Sequence, residues 1–194
     1  MPHMQRQLEE RFTYGNYRTW PEDERWELID GVVYDMSPAP SRFHQGLITE
    51  FIFQFHAYLQ DKPCRIYAAP FDVRLPDGDE ADDDIVTVVQ PDLVVVCDRN
   101  KLDERGCKGA PDLIIEILSP STAAKDLHDK FNLYERVGVK EYWIVHPQDQ
   151  TVMVFRREGE VFGRAAMFAR EGQIKIPLLG DLVIDLQQAF SSGE

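Results

Sequence analysis

A chain of 194 residues with 43% hydrophobic content is long enough for one substantial core and too apolar to be disordered. Its net charge of −13 argues against a protein that coats nucleic acid non-specifically. No stretch approaches the roughly 20 apolar residues that cross a bilayer, and MPHMQRQLEE at the N-terminus lacks the apolar run of a signal peptide, so the default expectation is a cytoplasmic protein with no membrane partner.

Residues 1–13 read as a loose leader, and Tyr14–Trp20 as a short helix. WELIDGVVYDM reads as a hairpin turning at Asp30-Gly31. After the loop SPAPS, Ser41 can cap the clearest helix of the chain, residues 42–60. There Phe43, Leu47, Phe51 and Phe55 recur every fourth residue, and Pro63 stops the helix. CRIYAAPFDVRL is strand-like, with a proline that suits an edge or a bulge. DGDEADDD, residues 77–84, reads as a solvated, mobile loop, because it lacks the spaced ligands and terminal Glu of an EF-hand.

TVVQPDLVVVCD reads as a strand buried on both faces, and residues 99–110 as a polar connection. PDLIIEILS is the next strand. Ser121 or Thr122 can cap a helix over 123–137, which Gly138 ends. KEYWIVHP and TVMVFRR form two further strands joined through residues 147–150, followed by short strands and a final helical turn. The whole chain, 1–194, thus reads as one mixed α/β domain. Cys64, Cys97 and Cys107 are odd in number and contain no CxxC pair, which predicts buried thiols rather than a disulfide or a zinc site.

Two apolar strands each carry a carboxylate: Asp92 before LVVVC and Glu116 inside LIIEIL. Burying an ionised carboxylate without a partner costs several kcal/mol or more. If the strands are neighbours, the two acids point into one volume, where they repel unless a cation intervenes. A divalent metal resolves this, and Mg²⁺ characteristically takes one or two carboxylates together with substrate phosphate oxygens. Phosphoryl chemistry also needs a positive group. Leu118 stands where a strand lysine would share the face of Glu116, so the candidates lie on the following helix. Lys130 shares a helix face with Asp126 and Tyr134, whereas Lys125 lies about 100° from Asp126, which favours Lys130. Asp112 opens a second PDL and shares the strand face of Glu116, so it is the chief competitor of Asp92. His56, His128 and His146 read as surface or loop residues, and Ser119 as a turn or capping hydroxyl.

Four features occur in a fixed order: the PD at Asp92, E-x-x-S-P-S-T from Glu116, D-x-x-x-K-x-x-x-Y from Asp126 to Tyr134, and GVKEYWIVHP. With the N-terminal WELIDGVVYDMSP and the helix bearing His44, this resembles the Uma2 family of restriction-type endonucleases, within the PD-(D/E)xK nuclease superfamily. The resemblance spans about residues 13–160. It implies a restriction-endonuclease-like core, a central mixed β-sheet flanked by helices, with a Mg²⁺-dependent site that would also accept Mn²⁺. By position it implies Asp92 and Glu116 as metal-binding acids, the carbonyl of Ile117 as a further ligand, and Lys130 as a migrated lysine replacing the one absent at Leu118. Glu27 and His44 match further positions near the site. The expected activity is metal-dependent hydrolysis of DNA phosphodiester bonds, with low affinity for DNA because of the acidic charge. Two alternatives stand beside it: a non-catalytic dimeric binding or assembly protein on the same core, and a phosphodiesterase acting on RNA or nucleotides. A homodimer would find edge surface in WIVHP and the C-terminal strands.

Overall fold

The computed structural model describes residues 11–21, 24–36, 40–119 and 126–192. A short helix α1 (Tyr14–Tyr17) precedes the hairpin β1 (Trp26–Ile29) and β2 (Val32–Asp35), which turns at Asp30-Gly31 as the sequence predicts. Helix α2 (Arg42–Leu59) follows, with Ser41 accepting from the His44 amide at its N-terminus. Its periodic residues Leu47, Phe51, Phe55 and Leu59 are buried.

Two segments that look like single strands each divide between two sheets. CRIYAAPFDVRL gives β3 (Arg65–Ala68) and β4 (Val73–Arg74), separated by a cis Ala69-Pro70 bond. TVVQPDLVVVCD gives β5 (Val88–Val89) and β6 (Leu93–Val96), divided at Gln90-Pro91-Asp92. Proline has no N–H for a ladder, so each break falls where pairing must lapse. The 99–110 connection contains a small hairpin, β7 (Leu102–Asp103) and β8 (Gly106–Lys108). Strand β9 (Leu113–Ile117) leads to a π-helical turn, Asp126–Lys130, and helix α3 (Phe131–Val137). Gly138 ends α3 in the left-handed conformation. The proposed caps Ser121 and Thr122, the first residues of the predicted helix, and Lys125 lie outside the described residues.

The C-terminal part comprises β10 (Glu141–His146), β11 (Thr151–Glu158), β12 (Val161–Phe162), β13 (Ala166–Ala169), β14 (Gln173–Lys175), β15 (Val183–Asp185) and helix α4 (Leu186–Ser191). The main sheet has the order β12-β11-β10-β9-β6-β3, with β13 also on β11. Its β9–β10 pair is parallel and its β3–β6, β6–β9 and β10–β11 pairs are antiparallel, so the sheet is mixed as expected. The second sheet has the order β2-β1-β5-β4-β8-β7.

One face of the main sheet packs on α2 and α4, through Phe51, Phe55, Ile115, Trp143, Leu186 and Phe190. The other face packs on α3 and the second sheet, through Val94, Ile114, Leu133, Tyr134, Val73 and Val89. Glu116 lies on this second face, since it alternates with Ile115 and Ile117. No helix among the described residues is long and apolar enough to cross a membrane.

Four expectations are corrected. Cys64 and Cys97 are bonded to each other, leaving Cys107 as the free cysteine. The Arg65–Val96 register sets the two opposite each other, a proximity that 33 residues of separation conceal. The acidic run is docked rather than loose: Asp82 faces Arg74, Arg105 and Lys108, Asp83 faces Arg18, and Glu80 accepts from the amides of Asp77 and Gly78. Phe12 belongs to the fold rather than to a loose leader, because its amide donates to Gly31 and its ring packs beside Trp20. Strand β10 lies inside the main sheet, between β9 and β11, so WIVHP offers no edge for a partner.

Candidate active site

The break at Gln90-Pro91-Asp92 places Asp92 where the chain passes from the second sheet into the main one. The β6–β9 ladder pairs Leu93 with Ile115 and Val94 with Ile114. One step further, Asp92 stands opposite Glu116, and opposite residues of an antiparallel pair have Cβ atoms about 5 Å apart on one face. Asp92 Oδ2 accepts the Ile117 amide at 2.7 Å, while its own carbonyl accepts the Ala69 amide at 3.1 Å. The first bond ties the acid to the end of β9, and the second ties its backbone to the residue after β3. The expected pairing of Asp92, Glu116 and Ile117 is therefore a consequence of strand register.

Glu116 is 3% exposed and does not lack partners. Its Oε1 accepts from Lys130 Nζ at 2.8 Å and from the Tyr134 hydroxyl at 2.8 Å. Lys130 Nζ also stands 2.8 Å from Glu27 Oε1, and Glu27 Oε1 accepts the Gln90 amide at 3.0 Å. Lys130 is the last residue of the π turn, and Tyr134 follows four residues later in α3. Such single π turns are frequent at functional sites, because the extra residue re-aims side chains. Burial, and then the neighbouring Glu116 charge, hold the Tyr134 phenol well above its ordinary value, so it remains a donor. The side chain of Asp126, third member of the predicted helix face, lies outside the described residues.

His44 reaches the site from the first turn of α2, whose N-cap fixes its backbone. Its Nε2 lies 3.2 Å from Asp92 Oδ1, and its buried Nδ1 has no partner among the described residues. Asp92 has 21% of its side chain exposed, against 1% for Glu27 and 4% for Glu116, so it is the acid that solvent reaches most easily. All five predicted side chains, Glu27, His44, Asp92, Glu116 and Lys130, are thus linked through contacts at one end of the main sheet.

Asp112 is placed elsewhere. It immediately precedes β9, four residues and about 13 Å from Glu116. It binds the Cys97 amide at 2.7 Å and Lys140 Nζ at 2.6 Å, which is a structural role. His56 and His128 are exposed, as expected. His146 instead ends β10, and its Nε2 is buried. Sequence reasoning missed Gln90, whose backbone N–H fixes Glu27 and whose side chain joins Arg25, Tyr17 and Asp72. Glutamine carries no motif signal; adjacency to Pro91-Asp92 was the available clue.

Among the described residues, three carboxylates against one ammonium leave a formal surplus of two negative charges. A divalent cation would balance it. Among the described residues no group of three or more His, Cys, Asp and Glu side chains is arranged to hold a metal ion alone. Mg²⁺ sites commonly use only one or two carboxylates, with water and substrate oxygens completing the shell.

Residues 15–187 match the model of a family described as "Putative restriction endonuclease". An uncharacterized protein of Synechocystis sp., slr1290, is 28% identical over 120 residues, which cover 61% of this chain and 59% of that protein. A crystal structure described as a putative nuclease belonging to DUF820, from Anabaena variabilis, superposes with a TM-score of 0.75 at 20% identity. The match covers 94% of this chain and 99% of the other, which establishes the shared fold.

Proposed function

We propose, for a chain that belongs to the Uma2 family, that it is a metal-dependent endonuclease hydrolysing DNA phosphodiester bonds. The observation that carries the reading is Lys130 held between Glu27 and Glu116, with Asp92 on the strand beside Glu116. A lone structural ion pair would need one acid; here two carboxylates, Glu27 and Glu116, meet the buried Lys130 at a sheet end.

Asp92 and Glu116, with the Ile117 carbonyl, are the groups that would hold Mg²⁺ or Mn²⁺. When bound, such an ion polarises a phosphoryl oxygen and lowers the pKa of water. The chain supplies the rest. Lys130 donates toward the attacking water or the charge that develops on phosphorus. Glu27 and Tyr134 hold that ammonium and Glu116 in place, and His44 does the same for Asp92. Lys130 takes the role that Leu118 cannot, from a helix instead of the strand.

The test is cleavage of supercoiled plasmid in Mg²⁺ by the unaltered chain, Asp92→Asn, Glu116→Gln and Lys130→Met. Nicking or linearisation by the unaltered chain alone supports the reading. Binding of metal without cleavage of plasmid, single strands or RNA would instead point to a non-catalytic protein on the nuclease core.

A further inference from the structure

Arg18, Arg74, Arg105, Arg136 and Arg156 each face a carboxylate. Arg25 does not. Among the described residues it has no ion pair, and its Nε and Nη2 both donate to a neutral acceptor, Gln90 Oε1, at 3.3 and 3.1 Å. Arg25 is half-buried, immediately before β1. Its carbonyl extends the β1–β2 ladder by accepting from Met36.

The clamp holding it is fully determined. Gln90 is 8% exposed, and its side-chain nitrogen donates to the Tyr17 hydroxyl at 3.0 Å and Asp72 Oδ1 at 2.9 Å. Tyr17 in turn donates to Asp72 Oδ1 at 3.0 Å. With both amide hydrogens committed, the amide oxygen must face Arg25. Asp72 is itself pinned: its carbonyl accepts the Cys107 amide and lies where a side chain on Gly106 would collide, at 2.2 Å from the Cβ position. A carboxylate at Gln90 would have cancelled the guanidinium charge; an amide orients it and leaves the charge intact.

Gln90 also donates its backbone N–H to Glu27 Oε1, the oxygen that Lys130 touches, and lies two residues from Asp92. One residue therefore joins Arg25 to the catalytic cluster. On a chain of net charge −13, an oriented and unneutralised guanidinium beside a cluster of acids has an evident use. We infer that Arg25 is a substrate-binding residue that takes a backbone phosphate next to the scissile one, with Gln90 as its positioning residue. This rests on the nuclease reading and supplies a positive contact beside the acidic cluster.

The test is fluorescence anisotropy of a labelled DNA duplex over a range of salt concentrations. Asp92→Asn, which stops turnover, is compared with Asp92→Asn/Arg25→Gln. The expected result is about tenfold weaker binding and a salt slope smaller by about one. Equal affinity and slope would overturn the assignment. Should Arg25→Gln fail to fold, the unaltered chain decides: bound duplex in metal-free buffer should shield Arg25 from phenylglyoxal, read by peptide mass mapping. Equal modification with and without duplex would overturn it. Plasmid cleavage measured in parallel separates the two ideas. Cleavage with Arg25 unaffected removes only the Arg25 role, whereas neither cleavage nor duplex binding removes both.

Discussion

Lys130 Nζ stands 2.8 Å from Glu116 Oε1 and 2.8 Å from Glu27 Oε1, joining a helix to strands of two different sheets. All three side chains are almost wholly buried, so each depends on the others for its charge. In metal-free buffer, Lys130→Met removes the cation that Glu27 and Glu116 share and should cost about 3–5 kcal/mol. Lys130→Met/Glu27→Gln should recover part of that stability. Neither variant should recover cleavage, expected to fall at least about 10²-fold. Urea denaturation and plasmid nicking on the same samples separate the effects; a Lys130→Met protein that cleaves normally would make the lysine purely structural.

Tyr134 should act as a fixed donor at every working pH. Burial, followed by the Glu116 charge, raises its phenol well above the usual value of 10, so it stays protonated between about pH 6 and 9. Tyr134→Phe is then expected to lower the cleavage rate about tenfold, without changing the shape of the pH–rate profile. A limb of that profile disappearing in the variant would show that the phenol titrates during catalysis.

Asp112 should matter for stability and not for chemistry. Asp112→Asn weakens the contact with Lys140 and the acceptor for the Cys97 amide, at a cost of about 1–2 kcal/mol. Cleavage should remain within about twofold of the unaltered chain. If Asp112→Asn folds and loses cleavage, the first acid has been assigned to the wrong PD.

How much of this was legible in the sequence varies by residue. The four-residue period of Phe43, Leu47, Phe51 and Phe55 announced α2, because a buried helix face leaves a regular trace. Asp92 and Glu116 were visible as charges in apolar runs. Lys130 was reachable by asking which cation shares a helix face with Tyr134. The division of each proline-containing segment between two sheets was not legible, since Pro70 and Pro91 are also compatible with one edge strand. That division is what puts Gln90 between Glu27 and Arg25. The Cys64–Cys97 bond and the docking of the acidic run on Arg74 depend on strand register, which separation along the chain does not encode.

Glu141, at the far end of the parallel pair from Glu116, should govern part of the pH dependence of stability. Burial raises its carboxyl pKa, partly offset by Trp143 Nε1 and Arg156. A carboxyl whose folded pKa exceeds its unfolded value of about 4.3 stabilises the fold fully below that pH. That contribution is lost as pH rises through the folded value. Glu141→Gln should therefore flatten the decline in unfolding free energy as pH rises above about 4, measured by urea denaturation. An unchanged slope would show that the carboxylate is fully compensated by its partners.

The central claim is that Asp92 and Glu116 together hold a divalent cation beside Lys130. Anomalous scattering from crystals soaked in Mn²⁺ tests it most directly. The account predicts one peak within bonding distance of both carboxylates, absent from Asp92→Asn crystals, with Lys130 at the edge of the site. Mn²⁺ bound elsewhere, or no peak while Lys130 still bridges Glu27 and Glu116, would contradict it.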